Sequence, residues 1–167
     1  MAKHFLGISV PIAVVAASLA ILVVGPAAAA PAASSVEACT LLSARQVAAV
    51  HVGTSCAQAA GKPNPYFTAV VATWGKLGGH GSVIVGINRV SNHAYIGVWE
   101  SQHARGKSFG VGSWSRGSCV SSGAYCAIDF VVGDNVVLLQ VAPPTGQPLA
   151  TPAIAIAMAK NIAAKLS

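Results

Sequence analysis

The alternation of apolar and polar positions predicts a chain that mixes short helices with hairpin-linked strands. Ser43 and Gln46 form a capping box, in which the serine hydroxyl accepts from the amide three residues on and the glutamine side chain reaches back. We therefore predict a helix over 44–50, with Leu42 and Val47 as a hydrophobic staple at its start. A helix of about two turns is unstable alone, so its apolar face must dock on a sheet.

Four segments rich in β-branched and aromatic residues predict strands that pair as two hairpins. The first pair is joined by the glycine-rich turn 78–81 and the second by Gly133-Asp134, which is the strongest hairpin signal in the chain. The predicted strands cover 66–74, 82–90, 125–132 and 135–141.

Two further helices are predicted. Segment 94–104 fits both a helical face and a strand face, and we favour the helix. The last helix follows Thr151 as its cap, with Pro152 at the first position, where a missing amide is harmless. Its apolar stripe consists of side chains four residues apart, namely Ile154, Met158, Ile162 and Leu166. Segment 107–123 is rich in Gly and Ser and predicts a loop anchored by Trp114.

The order helix, strand, strand, helix, strand, strand, helix predicts an α+β domain. We expect an antiparallel sheet of about four to six strands packed against N-terminal and C-terminal helices. No internal repeat is evident in the sequence.

The first residues have the three-part pattern of an export signal. A basic start at Lys3 precedes the apolar run 5–24, and the small-residue tract 27–33 offers Ala-x-Ala cleavage sites. We predict a cleaved signal peptide over 1–33 and a secreted mature domain over 34–167. The alternative is a retained membrane anchor, and it is disfavoured because no Lys or Arg follows the run as a stop-transfer signal.

Charge and cysteine content narrow the class of protein. The chain has 10 basic and 4 acidic residues, and the bases are spread along it rather than gathered in a stripe, which argues against a nucleic-acid partner. In an exported chain, 4 cysteines predict two disulfides. Three pairings are open, and we favour the sequential one because it closes the two shortest loops, namely Cys39–Cys56 and Cys119–Cys126.

The sequence supports neither a metal site nor a cofactor. The cysteines include no Cys-x-x-Cys pair, and the mature histidines have no His-x-x-x-His spacing. A paired-carboxylate site would need Glu100 and Asp129 to face one cleft, and nothing in the pattern requires this.

One segment matches the Gly-x-Ser-x-Gly pattern of a nucleophile elbow, with Ser108 at its centre. That motif needs a strand before it, a helix after it and a downstream histidine. The elements predicted around Ser108 do not provide this frame, and no histidine follows His103. We therefore predict no catalytic residue there.

The residues we single out for ligand binding are Trp114, Arg105 and Lys107. A large aromatic side chain in a Gly- and Ser-rich loop either anchors the loop in the core or meets a partner. The basic neighbours would suit an anionic partner. The alternative, a buried loop anchor, remains open.

The run Cys39-Thr40-Leu41-Leu42-Ser43, followed by Val47 and Gly53, resembles the opening of a broad set of small bacterial proteins. These are exported or lipid-anchored proteins of unknown function, common in high-GC Gram-positive bacteria. The resemblance implies an α+β fold similar to that of the PsbP and Mog1p proteins. It supplies no catalytic residues that could be carried over to this chain.

These observations lead us to expect a secreted, non-enzymatic accessory or binding protein of the cell envelope. Its partner would be an envelope protein, a glycolipid or a cell-wall polymer, with no nucleic acid and no stable membrane anchor after signal cleavage. The alternative is a small secreted hydrolase. That alternative requires a cleft with convergent polar groups around a residue of strongly perturbed pKa.

Overall fold

A computed structural model describes residues 36–62, 65–76, 80–120, 124–147 and 152–167. The predicted signal peptide 1–33, part of the turn 78–81, and Thr151 lie outside the described residues. The described part begins with a 3-10 turn, Ala38–Thr40. The other elements are α1 (Ala44–Ala48), β1 (Cys56–Ala60), β2 (Phe67–Gly75), β3 (Ser82–Val90), α2 (Ala94–Gln102), β4 (Trp114–Cys119), β5 (Cys126–Val132), β6 (Asn135–Ala142) and α3 (Pro152–Leu166).

The strands form one antiparallel sheet in the order β1-β2-β3-β6-β5-β4. Both predicted hairpins, β2–β3 and β5–β6, are present. They lie side by side because β3 pairs with β6 from Ser82 to Arg89. The α+β class with an antiparallel sheet is therefore confirmed.

One face of the sheet carries the main core. Alternate side chains of the central strands point to this face, and Val85, Ile128 and Leu139 are among those buried there. The 3-10 turn, α1 and α3 pack against this face, and residues of the connecting segments, such as Val50 and Val111, complete the cluster. The predicted stripe of α3 is confirmed, since Met158 and Ile162 are buried in the same cluster.

The start of α1 has the predicted local geometry. The Ser43 hydroxyl accepts from the Gln46 amide at 3.2 Å, and the Ser43 amide donates to Gln46 Oε1 at 3.0 Å. Leu42 and Val47, the predicted staple, are both buried. From α3, Asn161 Nδ2 donates to the Leu41 carbonyl at 2.7 Å, which ties the two ends of the domain together.

Helix α2 confirms the helix that we favoured for segment 94–104, although it ends at Gln102. The predicted loop 107–123 is wrong in part, because Trp114–Cys119 forms β4. Its sequence, Trp-Ser-Arg-Gly-Ser-Cys, has weak intrinsic β-propensity, and pairing with β5 outweighs this. The alanine-rich edge strand β1 had no strand signal in the sequence.

Candidate binding surface

Among the described residues, only helix α2 and its neighbours cover the face of the sheet opposite the main core, and they cover it in part. Helix α2 packs at one end of it, where Trp99 contributes to a second buried cluster with Val90, Val131 and Val136. At the start of α2, Tyr95 contacts the ring of Phe67 in β2 at 5.5 Å between centroids. We call the remaining part of this side the open face and define it by two rows of cross-strand neighbours.

The strand register fixes these two rows. The first row, from β4 to β1, is Arg116, Asp129, Leu138, Gly86, Val71 and Ala59. The second is Ser118, Ala127, Gln140, Ile84, Thr73 and Ala57. None of these residues is buried. Arg116 and Asp129 are the only charged residues in the two rows.

Gly86 makes a shallow trough in the first row. A Cβ built at this position would contact only the Cβ of Leu138, at 3.8 Å. The residue on its other side, Val71, is 37% exposed. The middle of the open face is therefore uncharged, shallowly recessed at Gly86 and at least partly accessible.

An aromatic cluster stands at the β4 end of this face. The ring of Trp99 stacks on His103 at 4.2 Å and meets Trp114 edge-on at 5.4 Å between centroids. His103 Nδ1 lies 2.8 Å from the Trp99 carbonyl oxygen. A carbonyl oxygen can only accept a hydrogen bond, so Nδ1 carries a proton in this contact. The other ring nitrogen, Nε2, takes no part in it.

A guanidinium extends this cluster toward the open face. The Cζ atom of Arg116 lies 6.0 Å from the centroid of the Trp114 ring, within the range of a cation–π contact. Arg116 Nη1 also donates to the Ser115 carbonyl at 3.3 Å. The Arg116 side chain is half-buried, so its charge is held against the edge of the sheet.

Asp129 is the carboxyl on this face. Burial raises its pKa above the ordinary value, and the nearby His103 lowers it in part. Its Oδ1 atom is buried and accepts no hydrogen bond from any residue that the structure describes. Burial also raises the pKa of Tyr125, and the charge of Asp129 adds to this effect.

The structure separates the three residues singled out for ligand binding. Trp114 is half-buried and packs against the second buried cluster, which contains Trp99 of α2. This position agrees in part with the alternative that Trp114 anchors the loop. Lys107 pairs with Gly117, whose position faces the core side, and it lines a separate cavity of about 390 Å³ with Phe109 and Cys119. Arg105 is exposed between α2 and β4. The cation beside Trp114 is Arg116.

Sequence reasoning missed Arg116, His103 and Asp129 as members of one surface. The β4–β5 register sets Arg116 opposite Asp129, and the sequence pattern contains no sign of this register.

The predicted cysteine pairing is confirmed, with disulfides Cys39–Cys56 and Cys119–Cys126.

Ser108 is exposed in the connection before β4. Helix α2 precedes this connection and a strand follows it, which is the reverse of the frame that a nucleophile elbow requires. Within the described ranges, no three His, Cys, Asp or Glu side chains gather as metal ligands would.

Comparison with protein-family models, with curated proteins and with solved structures found no match to this chain. The resemblance to PsbP- and Mog1p-like proteins therefore stays a prediction. No helix in the described part is both long and apolar enough to cross a bilayer. The two disulfides are typical of an oxidising, extracytoplasmic environment.

Proposed function

We propose that the protein is an exported, non-enzymatic binding protein of the cell envelope, and that its ligand is an anionic glycolipid bound on the open face. The observation that carries the proposal is the composition of this face. A sheet face exposed to water normally presents polar side chains. Here the accessible positions are mostly small or aliphatic, and such patches mark interaction surfaces.

The middle of the first row and its β4 end suit the two parts of an amphipathic anion. Leu138, Gly86 and Val71 offer an uncharged trough for an acyl chain. At the β4 end, Arg116 offers a guanidinium for a phosphate or carboxylate. The Trp114 ring beside it offers an amphipathic surface for a sugar ring. A glycolipid meets all three features with one molecule, whereas a free polysaccharide would leave the trough unused.

A small secreted hydrolase is the second candidate, and one observation favours it. Asp129 has a raised pKa near His103, as an acid–base pair requires. Against it, His103 Nδ1 is bonded to the carbonyl of its own helix. The only charged groups on the two rows are Arg116 and Asp129, so few polar groups converge on a substrate.

Dioctanoyl phosphatidylinositol is a suitable probe, because it combines an acyl portion, a phosphate and a polyol ring. We expect saturable binding, seen as a change in tryptophan emission, and much weaker binding of dioctanoyl phosphatidylcholine. Arg116→Gln should weaken phosphatidylinositol binding about tenfold, as expected for a lost charge-assisted contact. Gly86→Ala should weaken both lipids, because its Cβ enters the trough and contacts only the Cβ of Leu138, at 3.8 Å.

Lys107→Gln is the matched control, since it removes a cation from the other side of the sheet. Equal loss in Arg116→Gln and Lys107→Gln would mean that only net charge matters, and would refute the site. Native mass spectrometry of protein recovered from culture medium tests export and a retained lipid together. Hydrolysis of ester or glycoside substrates that Asp129→Asn abolishes would favour the hydrolase.

A further inference from the structure

A second cleft, of about 330 Å³, opens at the end of the main core layer. It lies where the 3-10 turn and the last turn of α3 meet the adjacent ends of β3 and β6. Its walls combine aliphatic and charged side chains, among them Leu41, Leu166, Glu37, Arg89, Asn135 and Lys165. Arg89 lies two residues after the core residue Ile87, and Asn135 lies two residues before the core residue Val137. Both therefore face the main core, and the cleft lies on the side of the sheet opposite the open face.

The polar groups of this cleft have unused bonding capacity. The Arg89 side chain is exposed and makes no hydrogen bond or ion pair with the described residues, among which the one contact between a basic and an acidic side chain joins His93 to Asp134 at 3.0 Å. Its cross-strand neighbour is Asn135, whose Nδ2 donates to the Val132 carbonyl at 3.4 Å and whose buried Oδ1 accepts no hydrogen bond from a described residue. The guanidinium of Arg89 is therefore the group available to an anionic part of a ligand.

Lys165 is held in place at the same cleft. Its Nζ donates to the Thr40 carbonyl at 2.6 Å, which links the end of α3 to the 3-10 turn. An ammonium has three N–H donors, so two remain for a ligand. Among the described lining residues, Glu37 is the one acid. The walls thus present two cations and one anion around the aliphatic side chains of Leu41 and Leu166.

We infer that this cleft binds a small zwitterion of dipeptide size. Arg89 takes the carboxylate in the paired geometry that a guanidinium favours, with Lys165 as a second donor. Glu37 takes the ammonium, and the aliphatic part lies against Leu41 and Leu166. The volume is at the lower end of the range for small-molecule sites, which matches a ligand of this size. This site is separate from the open face and does not depend on the glycolipid proposal.

The test is a titration of the isotopically labelled protein with L-alanyl-L-alanine, followed by amide chemical shifts. We expect saturable shifts around Glu37, Arg89 and Lys165, with a dissociation constant of about 1 mM or lower. Arg89→Gln should weaken binding about tenfold. Amidation of the peptide carboxylate should weaken binding to the wild type and have little further effect in Arg89→Gln. N-acetylation of the peptide should weaken binding to the wild type and have little further effect in Glu37→Gln.

Lys160→Gln is the matched control, because Lys160 is an exposed cation on α3 that does not line the cleft. This variant should bind the dipeptide like the wild type. The absence of saturable shifts in the wild type would overturn the inference. It would also fail if Lys160→Gln weakened binding as much as Arg89→Gln, or if the acetylated and amidated peptides bound as well as the free one. Circular dichroism of each variant separates lost binding from lost folding.

Discussion

At the scale of single residues, Asp129 has the most unusual environment of the side chains on the open face. It lies between Arg116 and Leu138 in the first row of the open face. It is half-buried, and its Oδ1 has no hydrogen-bond donor in the described part of the chain. Burial raises the pKa of Asp129, and the nearby His103 partly opposes this rise. An ionised Asp129 would also repel an anionic head group placed on Arg116. The charge of this one carboxyl therefore bears on stability and, for the ligand we propose, on binding.

The raised pKa has a definite consequence for stability. Because the folded protein holds the proton of Asp129 more tightly than the unfolded chain, this group favours folding most at low pH. Its contribution falls as pH rises from the unfolded pKa through the raised folded pKa. We expect Asp129→Asn, which cannot ionise, to increase the melting temperature at pH 7 by on the order of a few degrees. At pH 3.5 we expect little change. Thermal unfolding followed by circular dichroism at both pH values measures the difference.

Glu100→Gln provides the control for Asp129→Asn, because it neutralises a carboxyl on α2 away from the two rows. It should not reproduce the pH-dependent gain. Equal destabilisation by Asp129→Asn at both pH values would show that the charged form of Asp129 is not penalised in the folded protein.

What the sequence predicted at this scale was local. The capping box at Ser43 depends on residues three apart, and the cysteine pairing followed from loop length. The group formed by Arg116, Asp129 and His103 depends on strand register and on how α2 packs. Neither is encoded in a short stretch of sequence, so the charged partner of Trp114 was assigned to its sequence neighbours Arg105 and Lys107.

At the scale of elements, β4 shows how tertiary contacts define a strand that propensity does not. Ser115 in β4 faces the core side and is 3% exposed. Its hydroxyl oxygen accepts from the amides of Phe109 and Val111, both at 3.2 Å. One side chain thus fastens the connection before β4 onto the strand. The small Gly and Ser side chains that predicted a loop allow this close packing.

We expect Ser115→Ala to destabilise the domain by about 1–3 kcal/mol, since two amides lose their acceptor and one of them is buried. Urea unfolding gives this value directly. Ser118→Ala is the control on the same strand, because Ser118 is exposed on the open face. It should change the free energy of unfolding by less than about 0.5 kcal/mol. Equal effects of the two substitutions would contradict the role given to Ser115.

At the scale of the whole molecule, the two hairpins were predictable and their arrangement was not. The glycine-containing turns are local signals, whereas the pairing of β3 with β6 joins segments that are distant in sequence. The edge strands β1 and β4 were also missed, and each carries a disulfide. Cys39–Cys56 fastens β1 to the 3-10 turn, and Cys119–Cys126 fastens β4 to β5. The cysteines thus secure the two strands with the weakest sequence signals.

The two disulfides should therefore contribute unequally to stability. They close loops with sequence separations of 17 and 7, and the loop-entropy relation makes the longer one about 0.8 kcal/mol more stabilising. Alanine is the better replacement because Cys126 is fully buried and a serine there would bury a hydroxyl. We expect the pair Cys39→Ala and Cys56→Ala to lower the free energy of unfolding in urea more than the pair Cys119→Ala and Cys126→Ala. Reduction of the wild-type protein should lower its free energy of unfolding by about as much as the two double substitutions combined. A larger loss for the Cys119 and Cys126 pair would show that the edge at β4, and not loop closure, limits the stability of the sheet.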